Sequence, residues 1–216
     1  YHALVMREDW QGNLLPAIQA FFPLEDQTII ELGAGTGRIT RLIAPFVRKL
    51  VASDISLHML GCGKEQIKNL DLNNWYLCLE SHLALPFADQ SADGIIAGWS
   101  FCYAAIDGGE AWQATLEKAL SEVQRVLRPG GRLLLIDSLG TGFEKPQPPD
   151  VLIDYIHYLD THGFESTWIR TDYCFKDKAE ADALTAFFFG EAPLPMWETS
   201  QGVIVPECTG LWWKTL

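Results

Sequence analysis

Between positions 31 and 37 the chain reads Glu31-Leu32-Gly33-Ala34-Gly35-Thr36-Gly37, three glycines at alternate positions behind an acid. Glycines so spaced let backbone N–H groups approach a ligand that side chains would otherwise hold off. The run follows Thr28-Ile29-Ile30, a β-branched stretch that reads as a buried strand. It precedes residues 38–46, where Ile39, Leu42, Ile43 and Phe46 recur at helical spacing. Strand, glycine turn and helix make a cradle for a nucleoside-bearing ligand. Asp54 lies 21 residues beyond Gly33, at the end of a second strand predicted over residues 50–53. A carboxylate there can accept hydrogen bonds from ribose hydroxyls.

The type of nucleoside ligand follows from what the loop lacks. A dinucleotide fingerprint needs a small residue six positions into the loop, and that position is Arg38. No Gly-x-x-x-x-Gly-Lys run for a nucleoside triphosphate is present. Glu31, ahead of the first glycine, suits a ligand carrying an ammonium group better than one carrying a pyrophosphate.

Four segments in order are Glu31 to Gly37, Asp54, Leu85-Pro86-Phe87 to Asp93, and Leu127-Arg128-Pro129-Gly130-Gly131. In these segments, spanning residues 28–137, the chain resembles the class I S-adenosylmethionine-dependent methyltransferases. The resemblance implies S-adenosyl-L-methionine as cofactor. The loop Gly33, Ala34, Gly35, Thr36 and Gly37 would hold its methionine part and Glu31 its amino group. Asp54 would take both ribose hydroxyls, with Ile55 against the adenine. Many relatives carry an Asp four residues before the Leu-Pro-Phe; here that residue is Ser81, followed by His82, so adenine recognition is expected through Ser81, His82 and backbone. Glu80 would point to the other side if the strand continued. Trp99, after the fourth strand, completes the expected cofactor contacts.

Around these residues the chain alternates strands and helices. Helices are predicted over residues 12–22, 57–69 and 110–127, the last with Trp112, Leu116, Leu120, Val123 and Leu127 on one stripe. Further strands are predicted over 75–79, 93–98 and 133–136. That alternation indicates an α/β fold with a mostly parallel, doubly wound sheet covered on both faces. The resemblance makes it Rossmann-like, seven-stranded, with an antiparallel last strand. Residues 138–150 read as a long loop suited to a lid. A helix follows over 151–162, then strand-like stretches at 167–175 and 203–213 flanking a helix over 179–189. The chain is read as a single domain: an N-terminal helical cap (1–26), a cofactor-binding core (27–137) and a C-terminal portion with the lid loop and acceptor-side elements (138–216).

Methyl transfer needs alignment of acceptor and methyl, exclusion of water, and a base only where the acceptor pKa is high. The candidates near the ends of the fourth and fifth strands are Trp99, Ser100, Tyr103, Asp107, Asp137 and Ser138, with Tyr155 and His157 able to reach inward. None is assigned as catalytic base.

Composition narrows the partners. The chain has 216 residues, 16 basic and 28 acidic, for a net charge of -12, and residues 137–200 carry 12 acids against 4 bases. No basic track exists to follow phosphates, so nucleic acid is excluded as partner and a small-molecule acceptor is favoured. The longest uncharged apolar run, residues 94–106, falls short of the ~20 residues of a membrane span. No signal peptide opens the chain, which begins at Tyr1, and the five cysteines are scattered. These features fit reduced thiols in a cytoplasmic protein without metal ligation. Two other readings share the cradle: a non-catalytic S-adenosylmethionine-binding partner or sensor, and a nicotinamide-dependent oxidoreductase, which Arg38 disfavours.

Overall fold

The computed structural model describes residues 1–190 and 192–216, with the backbone alone at position 69. In chain order its helices are α1 (His2–Val5), α2 (Leu14–Phe21), α3 (Arg38–Ile43), α4 (Leu57–Ile67), α5 (Tyr103–Asp107), α6 (Trp112–Val126), α7 (Asp150–Thr161) and α8 (Lys178–Phe189). The strands are β1 (Thr28–Leu32), β2 (Lys49–Asp54), β3 (Trp75–Leu79), β4 (Ala92–Gly98), β5 (Leu127–Thr141), β6 (Glu165–Arg170), β7 (Tyr173–Phe175), β8 (Trp197–Thr199), β9 (Gly202–Val205) and β10 (Glu207–Thr215).

Seven strands form one sheet in the order β3-β2-β1-β4-β5-β10-β6. The pairs β1·β2, β1·β4, β2·β3 and β4·β5 are parallel, with Ile30 opposite both Val51 and Ile95. Strands buried on both faces read as continuous apolar runs, and Ile29, Leu32, Ile95, Ile96 and Leu133 to Ile136 are fully buried. The order reverses at β1 and β4, where an open α/β sheet leaves its ligand crevice. The chain has the mostly parallel Rossmann-like sheet that its alternating elements imply, closed by antiparallel pairing late in the chain.

Two compact units partition the chain. The larger comprises Gln19–Asp137, Asp150–Ser166 and Leu211–Leu216, and the smaller Tyr1–Ile18, Ser138–Pro149 and Thr167–Gly210. Within the larger, Asp93 fastens the strand starts: its carboxylate accepts Thr28 N–H at 2.8 Å and pairs with Arg128. Arg125 on α6 does the same for the Leu85-Pro86-Phe87 segment, donating to the carbonyls of Leu85 (2.9 Å) and Phe87 (2.8 Å), while Glu122 accepts Leu85 N–H at 2.8 Å. On α6 the buried residues are Leu116, Ala119, Val123 and Val126, so the stripe is turned slightly from the predicted one and Trp112 meets Tyr158 edge-on.

Within the smaller unit, β7, β9 and β8 make a separate antiparallel sheet. Each strand-like stretch predicted for the C-terminal portion is thus two strands. Residues 167–175 divide between β6 and β7, and residues 203–213 divide at Pro206 between β9 and β10. Proline has no N–H to give a ladder, so the run changes sheets there. β5 also exceeds its predicted limits at both ends, running into the expected turn at 128–131 and loop at 138–141. The remaining 142–149 segment is tied within its unit: Gly142 N–H donates to Pro206 O (2.7 Å) and Gln147 N–H to Leu139 O (2.7 Å). Asp177 caps α8 by accepting Glu180 N–H at 2.8 Å. Gly190 closes that helix, and position 191 after it lies outside the described residues.

Among the described residues no helix is long and apolar enough to cross a membrane.

Candidate cofactor and acceptor site

β1 delivers Glu31 and then the glycine loop to the crevice. Gly33, Gly35 and Gly37 all have positive φ (72°, 56° and 82°), which explains the alternate spacing in conformational terms. Gly33 also has no room for a side chain: a Cβ there would stand 2.3 Å from Ser100 Cβ. Ala34 N–H donates to Ser53 O at 2.8 Å, fixing the loop to the end of β2.

Asp54 orients the loop directly. Its Oδ2 accepts Gly35 N–H and its Oδ1 accepts Ser56 N–H, each at 2.8 Å. Each carboxylate oxygen retains a second acceptor site, the chemistry a ribose diol requires. Ile55 beside it is 74% exposed, an apolar face open to a flat ring. Glu31 is buried, and its Oε2 accepts Thr40 Oγ1–H at 2.5 Å. Burial pushes its carboxyl up to about 8, opposed by the Thr40 bonds and reinforced by the nearby Asp54 charge. The Arg38 charge favours the ionised form, and an arriving ammonium would add to it.

The residues after β3 are arranged differently from the strand-alternation expectation. β3 ends at Leu79, so Glu80 turns inward and is buried. Its Oε1 accepts Ser53 Oγ–H at 3.1 Å and lies 3.2 Å from His82 Nδ1. His82 Nε2 stands 3.7 Å from the position a Gly33 Cβ would take. The His82 ring also stacks on Phe101 at 5.0 Å. Ser81 makes an isolated bridge with Ala84 and holds the turn.

Trp99 follows β4 with φ of 49°, an uncommon conformation for a bulky residue, and the Arg38 guanidinium lies 3.4 Å over its ring. Ser100 Oγ–H donates to Leu32 O at 3.1 Å. Within β5, one residue past Ile136, its last pair with β4, Asp137 is buried and its Oδ2 accepts Tyr155 O–H at 2.8 Å. Asp107 and His157 are exposed, and Ser138 donates to Glu207 Oε1 at 2.6 Å in the smaller unit.

A family model described as a methyltransferase domain matches residues 30–135, the stretch that carries this crevice. That stretch is a methyltransferase domain of the class I S-adenosylmethionine-dependent kind. An uncharacterized methyltransferase of Schizosaccharomyces pombe is 37% identical over 113 residues, covering 52% of this chain and 39% of the relative. The ubiquinone/menaquinone biosynthesis C-methyltransferase UbiE of Escherichia fergusonii is 35% identical over 124 residues, 56% of this chain and 44% of the relative. The chain thus spans less than half the length of these curated relatives. An Aquifex aeolicus SAM-dependent methyltransferase structure superposes with a TM-score of 0.60 at 19% identity, covering 94% of this chain and 93% of that one, and so shares the fold.

Set in that family, the crevice holds residues the motif spacing alone did not reveal. Glu80 and Ser53 hold His82; their signal was a buried polar pair at two strand ends, visible only once the strand limits are known. Arg38, read as an obstacle to a dinucleotide, is the partner of Trp99. Among the described residues no group of three or more His, Cys, Asp or Glu side chains is placed to hold a metal ion.

Proposed function

We propose that the protein transfers a methyl group from S-adenosyl-L-methionine to a small-molecule acceptor. The observation that carries this reading is Asp54, bonded to Gly35 N–H and Ser56 N–H with acceptor capacity left on both oxygens beside an exposed Ile55. The donor and acceptor set fits the cofactor: a buried carboxyl for its ammonium, a carboxylate for its ribose, an apolar face for its adenine. When bound, the cofactor supplies an electrophilic methyl on a sulfonium that is already a good leaving group.

The chain's own residues do the rest. Glu31 takes the ammonium, Asp54 the ribose hydroxyls, and the backbone of Gly33, Ala34, Gly35, Thr36 and Gly37 lies under the methionine part. Ser81, in the place where relatives use an aspartate, takes the adenine amino group together with His82 and backbone, while Glu80 holds the His82 ring. Trp99, braced by Arg38, forms the wall towards the acceptor. A small-molecule acceptor is supported by the -12 net charge, and by the likeness to UbiE, whose name places it in quinone biosynthesis. The five free cysteines support a reducing compartment such as the cytoplasm.

The test is thermal unfolding with S-adenosylhomocysteine and, separately, NADH, on the parent and Asp54→Ala. S-adenosylhomocysteine at 100 times its Kd should add about 2.7 kcal/mol to the parent. Losing the ribose bonds should weaken its binding in the variant by roughly 1.5–3 kcal/mol. Stabilisation by NADH alone, or equal binding in the variant, would refute the assignment.

A further inference from the structure

One buried acid in the larger unit is incompletely satisfied. Asp137 is 1% exposed, and its Oδ1 is buried without a hydrogen-bond partner among the described residues. Its Oδ2 accepts Tyr155 O–H from α7 at 2.8 Å, and the Cys102 thiol ahead of α5 bonds the same carboxyl. A purely structural aspartate at such depth would have both oxygens occupied, because leaving one unmade costs about 1–3 kcal/mol.

Its position gives that oxygen a use. Leu32 on β1 pairs with Ala97 on β4, and Ala97 pairs with Leu135 on β5. Trp99 N–H donates to Ile136 O at 2.6 Å. Asp137 is therefore level with Trp99 on the edge of the sheet where the glycine loop begins. Two strand spacings, about 10 Å, separate it from β1 with β4 between them, so the carboxyl and the glycine loop stand at the same edge of the sheet.

We propose that Asp137 is the proton acceptor of methyl transfer, taking onto Oδ1 the proton of an O–H or N–H methyl acceptor, with Tyr155 and Cys102 as its positioning residues. This rests on the methyltransferase reading above. The balance is simple. The bond from the acceptor oxygen or nitrogen to the methyl carbon forms as the sulfur–methyl bond breaks, and the pair in that bond stays on sulfur. The acceptor proton passes to Asp137, later lost to water. One positive charge and one negative charge disappear together, so the buried site ends neutral.

The surroundings suit the role. Burial lifts the Asp137 carboxyl to about 7, restrained by the Cys102 and Tyr155 bonds, which poises it near neutrality. Tyr155 and Cys102 are themselves raised by burial and by Asp137, so both remain protonated donors. Tyr103 is raised by burial and by the Cys102, Asp107 and Asp137 charges, so it too stays neutral and does not compete as base. A cationic centre nearby stabilises the ionised carboxylate, and its loss on transfer favours the protonated form.

The experiment compares two ligands that share the adenosine and amino-acid parts. Sinefungin carries a primary amine where the cofactor carries its methyl sulfonium, whereas S-adenosylhomocysteine is uncharged there. Calorimetry would give the ratio of their Kd values at about pH 6 and about pH 8 for the parent, Asp137→Asn and Tyr155→Phe. Effects of Glu31 and Asp54 act on both ligands and cancel in the ratio. The parent should prefer sinefungin increasingly as Asp137 ionises, by at least about fivefold across this range. D137N should abolish that rise. Y155F should keep it but move its midpoint to higher pH, since a donor to the carboxylate is gone. A rise unchanged in D137N overturns the proposal. If D137N does not fold, Y155F decides, and an unmoved midpoint overturns it. Failure of the parent to bind S-adenosylhomocysteine takes down the methyltransferase reading instead, and the proposal with it.

Discussion

Replacing Glu31 by Gln should make the free protein more stable while damaging its binding site. Glu31 is buried beside Thr40, with an ordinary value of 4.5 displaced to about 8. Below the unfolded value both states hold the proton and burial costs nothing extra. Between the two values the unfolded chain ionises and the folded chain does not, so stability falls as pH rises, by about 1.4 kcal/mol per pH unit. Above the folded value the loss levels off. Gln cannot ionise but still accepts from Thr40 Oγ1–H, so E31Q lacks this fall. Its stability advantage should therefore grow by about 2.5 kcal/mol between about pH 5 and about pH 7, and flatten beyond about pH 8. Urea unfolding followed by the fluorescence of the 8 tryptophans at several pH values would measure it. Other titrating groups are common to both proteins and cancel in the difference. Parallel stability curves would show that Glu31 is not held protonated and that the burial reasoning is wrong. The same variant should lose S-adenosylhomocysteine affinity increasingly as pH rises and the parent's Glu31 can ionise against the ammonium, which a neutral amide cannot do; stability and binding then move in opposite directions.

Other perturbations follow from single contacts. Gly33→Ala forces a Cβ to 2.3 Å from Ser100 Cβ at a φ of 72°, and should cost roughly 2–4 kcal/mol in a urea titration. His82→Ala should reduce discrimination between S-adenosylhomocysteine and its inosine counterpart, by about 1–2 kcal/mol in calorimetry, by removing an acceptor for the adenine amino group. Equal preference in parent and variant would return adenine recognition to the backbone.

The cradle was legible because its demands fall on residue type. Glycine is the residue that meets positive φ at 33, 35 and 37 without steric cost, and an acid at 54 can hold both Gly35 N–H and Ser56 N–H while offering lone pairs outward. The parallel core was legible from short β-branched and leucine runs between amphipathic helices. What escaped depended on where strands stop. The side Glu80 takes hung on whether the strand continued past Leu79, and it does not; the C-terminal strands were merged because an apolar run looks the same whether or not Pro206 sends it to another sheet. Asp137 and Tyr155 were candidates by position, but their union with Cys102 was not legible. Its members at 102, 137 and 155 are joined only by tertiary packing, and no local spacing announces them.

The division of the chain also bears on how it is made. Residues 211–216 belong to the same compact unit as residues 19–137, and Leu216 exchanges hydrogen bonds with the Gly130–Gly131 turn. During synthesis β5 leaves the ribosome long before β10, the strand beside it in the sheet. At ~5–20 residues per second, the interval between residues 137 and 211 lasts about 4–15 s. For that time the nascent sheet presents β5 as an unpaired edge, rich in leucine and open to the wrong partner. β10 therefore acts as the seal on a half-finished sheet, and slowing translation between residues 137 and 211 should raise aggregation more than slowing it within residues 28–98.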